Sequence, residues 1–193
     1  MAYTPNPLTP PKFYFSDTSF NTLMRKRIYN ILLISSTYDS FVLEEDGRVD
    51  EQIFNEYVSL NLRYPPIFVK ATNAKEAFRR MEEDDIDLVI EMLNLGEVDA
   101  FTLARKIRKK YKEVPIVVLT HFNREGSMRL HNEDLSAIDH VFCWLGNANL
   151  LLAIIKLIED NMNAPHDIEQ IGVQCIILVE DSVRYTSTYL PEL

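Results

Sequence analysis

Five short apolar runs, "YNILLISS", "IFVKAT", "DLVIEML", "PIVVLTHF" and "HVFCWL", recur along the chain with stretches of helical periodicity between them. A strand with one face in water alternates apolar and polar residues, whereas these runs are apolar on both faces. Strands of that kind lie inside a parallel sheet, and their alternation with helices restricts the chain to an α/β fold with helices on both faces. The expected helical segments are 50–63, 73–84, 99–111, about 124–135 and 147–162. Together they make five βα units.

The flanking segments read differently. Residues 1–12 carry four prolines and predict an irregular arm. In "SDTSFNTLMRKRIYN", Asp17 or Thr18 offers a helix N-cap, Phe20, Leu23 and Met24 fall at helical spacing, and Arg25, Lys26 and Arg27 suit a helix C-terminus. A short helix is expected there, giving an N-terminal helical arm over 1–28. Ser36 to Val49 exceeds a usual βα connection, and "EEDGR" holds an Asp46-Gly47 turn signal, so an inserted loop is expected. The polar "NAPHDIEQIG", 163–172, reads as a linker after the domain at 29–162. The segment 173–193, "VQCIILVEDSVRYTSTYLPEL", then reads as a buried strand, an acid pair and the start of a helix, the opening of a second domain that is cut off.

Composition narrows the function classes. A formal net charge of -9 and a pI near 4.9 repel a phosphate backbone, so no nucleic-acid partner is expected. No apolar run reaches the roughly 20 residues that span a bilayer, and the start lacks a signal-peptide layout, so a cytoplasmic protein without a membrane partner is expected. Cys143 and Cys175 sit in apolar runs without C-x-x-C spacing and are expected to be reduced and buried.

In an open parallel sheet, ligands bind beyond the carboxyl ends of the strands, beside the point where strand order reverses. The strand ends are Ser35 and Ser36, Met92, Thr120 and Cys143. With "DLVIEML" followed by a turn and "DAFTLARKIR", then "VPIVVLT" and "DHVFCWLGNANLLLAIIKLI", the chain resembles response-regulator receiver domains over about Tyr29 to Met162. The resemblance implies a flavodoxin-like fold. It also implies two magnesium-binding acids at the places of Ser35 and Ser36, a phosphoacceptor aspartate at Met92, a switch hydroxyl at Thr120, a lysine at Cys143 and a proline at Trp144.

Only Thr120 matches that pattern. Magnesium requires hard oxygen ligands and an aspartyl phosphate requires a carboxylate nucleophile, and a thioether supplies neither. The lysine that would balance phosphoryl charge is also missing. The resemblance therefore implies a degenerate pseudo-receiver, with no catalytic residue, no metal and no cofactor, and with a regulatory or docking role in a larger signalling protein. Glu91 is the one alternative nucleophile, if a bulge turned it to the strand tip.

The tail "IILVEDSVRY" resembles the opening of a second receiver, with Glu180 and Asp181 as its acid pair. "KFYFSDTSFNTLMRKRIYN" ahead of such a domain is similar to the N-terminal region of bacterial pyruvate phosphate dikinase and phosphoenolpyruvate synthase-type proteins. Such a parent would be an enzyme, although none of that machinery lies in this sequence. The partners implied are the neighbouring receiver of the same protein, another protein, and a second copy through strand addition by "QCIILV". Two further readings stand beside docking: a small ligand in the pocket left by the acids, and an accessory role to a regulator phosphorylated on the following receiver.

Other side chains carry paired readings. Cys143 is a nucleophile or a core thiol, and Trp144 an anchor for a partner or a core ring. His121, His131, His140 and His166 lack metal-ligand spacing, although His121 adjoins Thr120. The basic run "ARKIRKKYK" and the acidic run Glu82 to Asp85 are docking patches or solvated helix faces.

Overall fold

The computed structural model describes residues 24–45, 49–59, 64–95, 98–121, 126, 129–130, 133–144, 146 and 148–193, with the side chains of 42–45 set aside. Strands β1 (Asn30–Ile34), β2 (Ile67–Ala71), β3 (Leu88–Met92), β4 (Ile116–His121) and β5 (His140–Trp144) form one parallel sheet in the order β2-β1-β3-β4-β5. All five expected strands are present. Every residue of β3 is buried, as are residues 31–34 of β1 and 116–120 of β4. The continuous apolar runs follow from this two-sided burial.

Helices α1 (Thr37–Glu45), α2 (Val49–Ser59), α3 (Ala74–Glu83), α4 (Ala100–Lys110), α5 (Asn149–His166) and α6 (Val183–Tyr189) complete the fold. Of the expected helix near 124–135, residues 126, 129 and 130 are described, and all are helical. Local chemistry sets the helix starts. Asn73 accepts from the Glu76 N–H while Glu76 accepts from the Thr72 N–H, a reciprocal cap at α3. Asp99 accepts from the Thr102 N–H to begin α4, which ends in Arg108, Lys109 and Lys110, where cations suit the helix C-terminus.

The structure differs from expectation at four places, and a fifth expectation falls largely outside the described residues. Residues 36–49 hold helix α1 where an inserted loop was expected; the turn at 46–48 lies outside the described residues. The short N-terminal helix lies outside them as far as residue 23, and 24–29 are not helical, Met24 having φ 53°. The linker at 163–172 is instead the last turn of α5 and a wider π turn over Asp167–Ile171, which stops at Gly172 with φ 79°. The tail run at 173–179 is no strand, and its Ile176, Ile177 and Val179 are 82–88% exposed. Cys175 is accordingly exposed, not buried.

The helical extension has a tertiary cause. Glu159, Asn163 and Asp167 recur every fourth residue, so they line one stripe of α5 and its π extension, and all three are buried. Glu159 accepts from the Ile28 N–H at 3.0 Å, Asn163 from the Lys26 N–H at 2.8 Å and Asp167 from the Met24 N–H at 3.2 Å. A column of helix side chains thus holds the strap of residues 24–28 by its backbone N–H groups. The helix runs through Pro165.

The tail is placed by α6. Ser182 caps it, and Ser187, 2% exposed, accepts from the Cys143 N–H at 2.7 Å while donating to the Val183 carbonyl. That hydroxyl satisfies a backbone donor of β5, a strand at the sheet edge. Residues 173–182 cross to it without a turn or bend.

Candidate functional site

The strand order reverses between β1 and β3, which puts the site where a parallel sheet of this order builds one. Its floor is assembled by register. Ile34 pairs with Glu91, Met92 with Leu119, and Thr120 with Cys143, so the ends of β1, β3, β4 and β5 lie side by side. Ser35, Met92, Thr120 and Cys143 are each at most 5% exposed, and Ser36 is half-buried.

A carboxylate does reach this end of the sheet, but from a residue the sequence reading did not single out. Ser36 caps α1 by accepting from the Asp39 N–H at 3.0 Å, and its hydroxyl donates to Asp39 Oδ2 at 2.8 Å. Asp39 Oδ1 in turn lies 3.0 Å from His121 Nε2 at the end of β4. The Ser35 hydroxyl bonds that of Ser40 at 2.7 Å. The first turn of α1 therefore sits over the strand ends, with both oxygens of Asp39 engaged. The S-x-x-D spacing of Ser36 and Asp39 was the available signal, as a helix cap with an acid in the first turn.

Glu91 lies on the opposite pleat from Met92, fully buried, and neither carboxylate oxygen has a hydrogen-bond partner among the described residues. Burial, and then the charge of Asp99, holds its carboxyl well above the usual carboxylate range. No bulge interrupts the pairing of Glu91 with Ile34 and Val118, so Met92 keeps the strand end. Around the following loop, Arg129 bonds both Asn94 and Asp99, tying the end of β3 to the start of α4.

The remaining candidates resolve into packing. Burial pushes the Cys143 thiol up, against a smaller lowering by Arg184, which disfavours the thiolate a nucleophile needs. Trp144, 5% exposed, belongs to the hydrophobic core. His140 stacks on Phe142, and burial lowers its basicity; His131 lies outside the described residues. Arg108 binds the carbonyls of Ala137, Lys112 and Val114 and the carboxylate of Asp139, while Lys110 pairs with Glu82. The basic and acidic runs thus meet within one chain. Glu180 accepts from the Ser182 N–H at the start of α6, and Asp181 is exposed. Among the described residues, no group of three His, Cys, Asp or Glu side chains is placed to hold a metal ion.

A family model described as the response regulator receiver domain matches residues 45–155. The chain belongs to the response regulator receiver family. Among curated proteins it is similar to the transcriptional regulatory protein NatR of Bacillus subtilis, 28% identical over 99 residues that cover 51% of this chain and 41% of that protein. It is also similar to the CAI-1 autoinducer sensor kinase/phosphatase CqsS of Vibrio cholerae, 37% identical over 65 residues, 32% of this chain and 10% of that one. The chain therefore spans less than half of either relative.

Solved receivers share the fold. The response regulator TrrA of Thermotoga maritima superposes with a TM-score of 0.50 at 21% identity, covering 68% of this chain and 99% of that one. A CheY-like receiver domain protein of Methanospirillum hungatei gives 0.53 at 19% identity, covering 72% and 98%. The five-stranded flavodoxin-like receiver fold expected from the sequence is the one observed. Receiver domains serve signal transduction. Among the described residues, no helix of this receiver is long and apolar enough to cross a membrane.

Proposed function

We propose that this receiver is a pseudo-receiver, which docks and positions neighbouring domains without accepting a phosphoryl group on β3. The observation that carries the reading is Met92, 1% exposed, at the strand end where the resemblance calls for the acceptor carboxylate. The surrounding chemistry supports it. Ser35 and Ser36 are spent on hydroxyl and capping bonds, Asp39 is held on both oxygens, and Glu91 is sealed in the sheet. No cationic side chain replaces the lysine at position 143 itself.

The regulatory partner in this reading is a neighbouring domain of the same polypeptide, a second receiver opened by the tail with Glu180 and Asp181, or another protein. Self-association through the tail belongs to the same reading. A cytoplasmic parent of the dikinase or synthase type is a further part of the proposal, resting on the N-terminal likeness alone. A small-ligand role for the vacated pocket is less favoured, because the first turn of α1 covers the strand ends. The cavity beside β2 and β3 is lined instead by Thr72, Asn73, Ala74, Leu95 and Val98.

The test is intact mass after incubation with acetyl phosphate and Mg²⁺. The expected result is no phosphoryl adduct on the wild-type chain, and an adduct that Glu91→Gln removes would overturn the proposal.

A further inference from the structure

The end of the sheet opposite Met92 carries a concavity of its own. Tyr29, Asp87 and Pro115 stand immediately ahead of β1, β3 and β4, and they line a cavity of about 430 Å³. That volume lies in the range that small ligands occupy. The strap lines the same cavity with three successive cations, Arg25, Lys26 and Arg27. Arg108, Lys110, Arg129 and Lys156 each bind a carboxylate, whereas the side chains of Arg25, Lys26 and Arg27 bond none of the described residues. Arg25 lies within electrostatic range of Asp167, whose oxygens are already bonded to His166 and the Met24 N–H.

The backbone adds donors. The N–H groups of Met24, Lys26 and Ile28 go to α5, and those of Arg25 and Arg27, alternating with them, find no acceptor among the described residues. Two acids also line the cavity, in different states. Asp87 Oδ2 accepts from the Tyr29 and Asn30 N–H groups at 2.8 and 3.0 Å, so the sheet engages its charge. Glu113 is exposed at the rim. Between the charged groups the lining is apolar, with Ile86 buried and Pro115 and Met162 half-buried.

We propose that this cavity binds a small phosphate monoester, its phosphoryl group held by Arg25, Lys26 and Arg27 and its organic body lying on Ile86, Pro115 and Met162. The chemistry fits both ends. A guanidinium offers paired donors to phosphate oxygens, an ammonium adds a point charge, and the open amides add further donors. An apolar body gains by leaving water for the cavity lining, which bare phosphate cannot do. A formal net charge of -9 repels a long polyanion, whereas a compact anion responds most to the cations it touches. The inference goes beyond the pseudo-receiver reading and does not rest on it, because this cavity and Met92 lie at opposite ends of β3.

Titration calorimetry of the full chain with phenyl phosphate and with inorganic phosphate, both without Mg²⁺, tests it. The expected result is one-to-one binding of phenyl phosphate, tighter than that of inorganic phosphate, with a rise in melting temperature. Arg25→Ala with Lys26→Ala removes two exposed side chains and should leave the ligand-free melting temperature unchanged. It should weaken phenyl phosphate about tenfold or more, the factor that a charge-assisted hydrogen bond is worth. Glu113→Gln removes the opposing charge at the rim and should tighten binding. Lys106→Ala with Lys109→Ala, in the basic run of α4, should leave it unchanged. Phenyl phosphate that fails to bind, binds no tighter than inorganic phosphate, or loses as much affinity in the α4 variant would each overturn the proposal. Binding of a polyglutamate peptide at the strap where phenyl phosphate does not bind would overturn it too, and would assign the cavity to an acidic protein segment.

Discussion

Glu91 should make this receiver less stable as pH rises, and replacing it should remove that dependence. The side chain is fully buried between Ile34 and Val118, with both oxygens unpartnered among the described residues. An unsatisfied buried polar group costs about 1–3 kcal/mol. Because the folded state holds the carboxyl above its unfolded value of 4.5, first through burial and then through Asp99, folding retains a proton that the unfolded chain releases. The stabilising contribution is complete below pH 4.5 and is lost as pH climbs towards the folded value, with a slope of about 1.4 kcal/mol per pH unit in that window. Glu91→Leu should be more stable than the wild type by about 1–3 kcal/mol near pH 5, and by more at pH 8. For a chain of this length 2 kcal/mol corresponds to a rise in Tm of roughly 4–8 °C. Glu91→Gln should lose the pH slope while keeping part of the cost of the unpaired group. Denaturant melts of the three proteins at pH 5, 6, 7 and 8 measure both effects. If Glu91→Leu keeps the wild-type slope, or is destabilised at pH 8, the account of Glu91 as an uncompensated buried acid is wrong.

Other perturbations probe the remaining polar joints. Asn163→Ala removes bonds to the Lys26 N–H and carbonyl, and should cost about 2 kcal/mol at roughly 1 kcal/mol per bond; faster amide exchange at Lys26 and Ile28 would locate the loss in the strap. Ser187→Ala leaves the Cys143 N–H without its acceptor and should cost about 1–2 kcal/mol. Alkylation of Cys143 in a Cys175→Ser background should then accelerate, and an unchanged rate would mean that α6 does not guard β5. Ser36→Ala deletes the cap of α1 and the bond that steadies Asp39, for about 1 kcal/mol, read from equilibrium unfolding.

The sheet was legible because two-sided burial leaves an unambiguous trace. A run such as "DLVIEML" is apolar on both faces apart from its acids Asp87 and Glu91, so it reads as an interior strand, and five such runs fix the layers. The strand ends could be named for the same reason, since register in a parallel sheet brings Ser35, Met92, Thr120 and Cys143 to one edge. What escaped was whatever depended on side chains reaching across the sequence. Helix α1, "TYDSFVLEE", has weak amphipathic periodicity and precedes an Asp-Gly pair, so it reads as loop until the Asp39 bonds to Ser36 and His121 are known. The run 163–172 looks like a linker because Asn163 and Asp167 are polar. Their spacing with Glu159 was a readable four-residue period, and it is polar because it binds backbone instead of packing in the core. The tail run has strand composition without a strand partner, and propensity alone cannot supply a ladder.

Under the proposed pseudo-receiver reading, the residues at the strand ends make more sense together than singly. A phosphorylated site has to keep several like charges beside one another, and a bound cation and a lysine offset their repulsion. In the proposed pseudo-receiver reading, which has neither the cation-binding acids nor the lysine, a carboxylate at Met92 would stand buried with no compensating charge, and an unpaired buried ion is costly. Methionine fills the position as core, Cys143 packs where a lysine head would need water, and the first turn of α1 covers the end of the sheet, with Asp39 bonded to Ser36 and His121. Restoring one acid would therefore not restore phosphoryl transfer. Met92→Asp alone should lower stability by several kcal/mol in the manner of an uncompensated buried charge and should gain no adduct from acetyl phosphate. An adduct on that single variant would show that the site needs only a nucleophile, and that the other replacements are incidental.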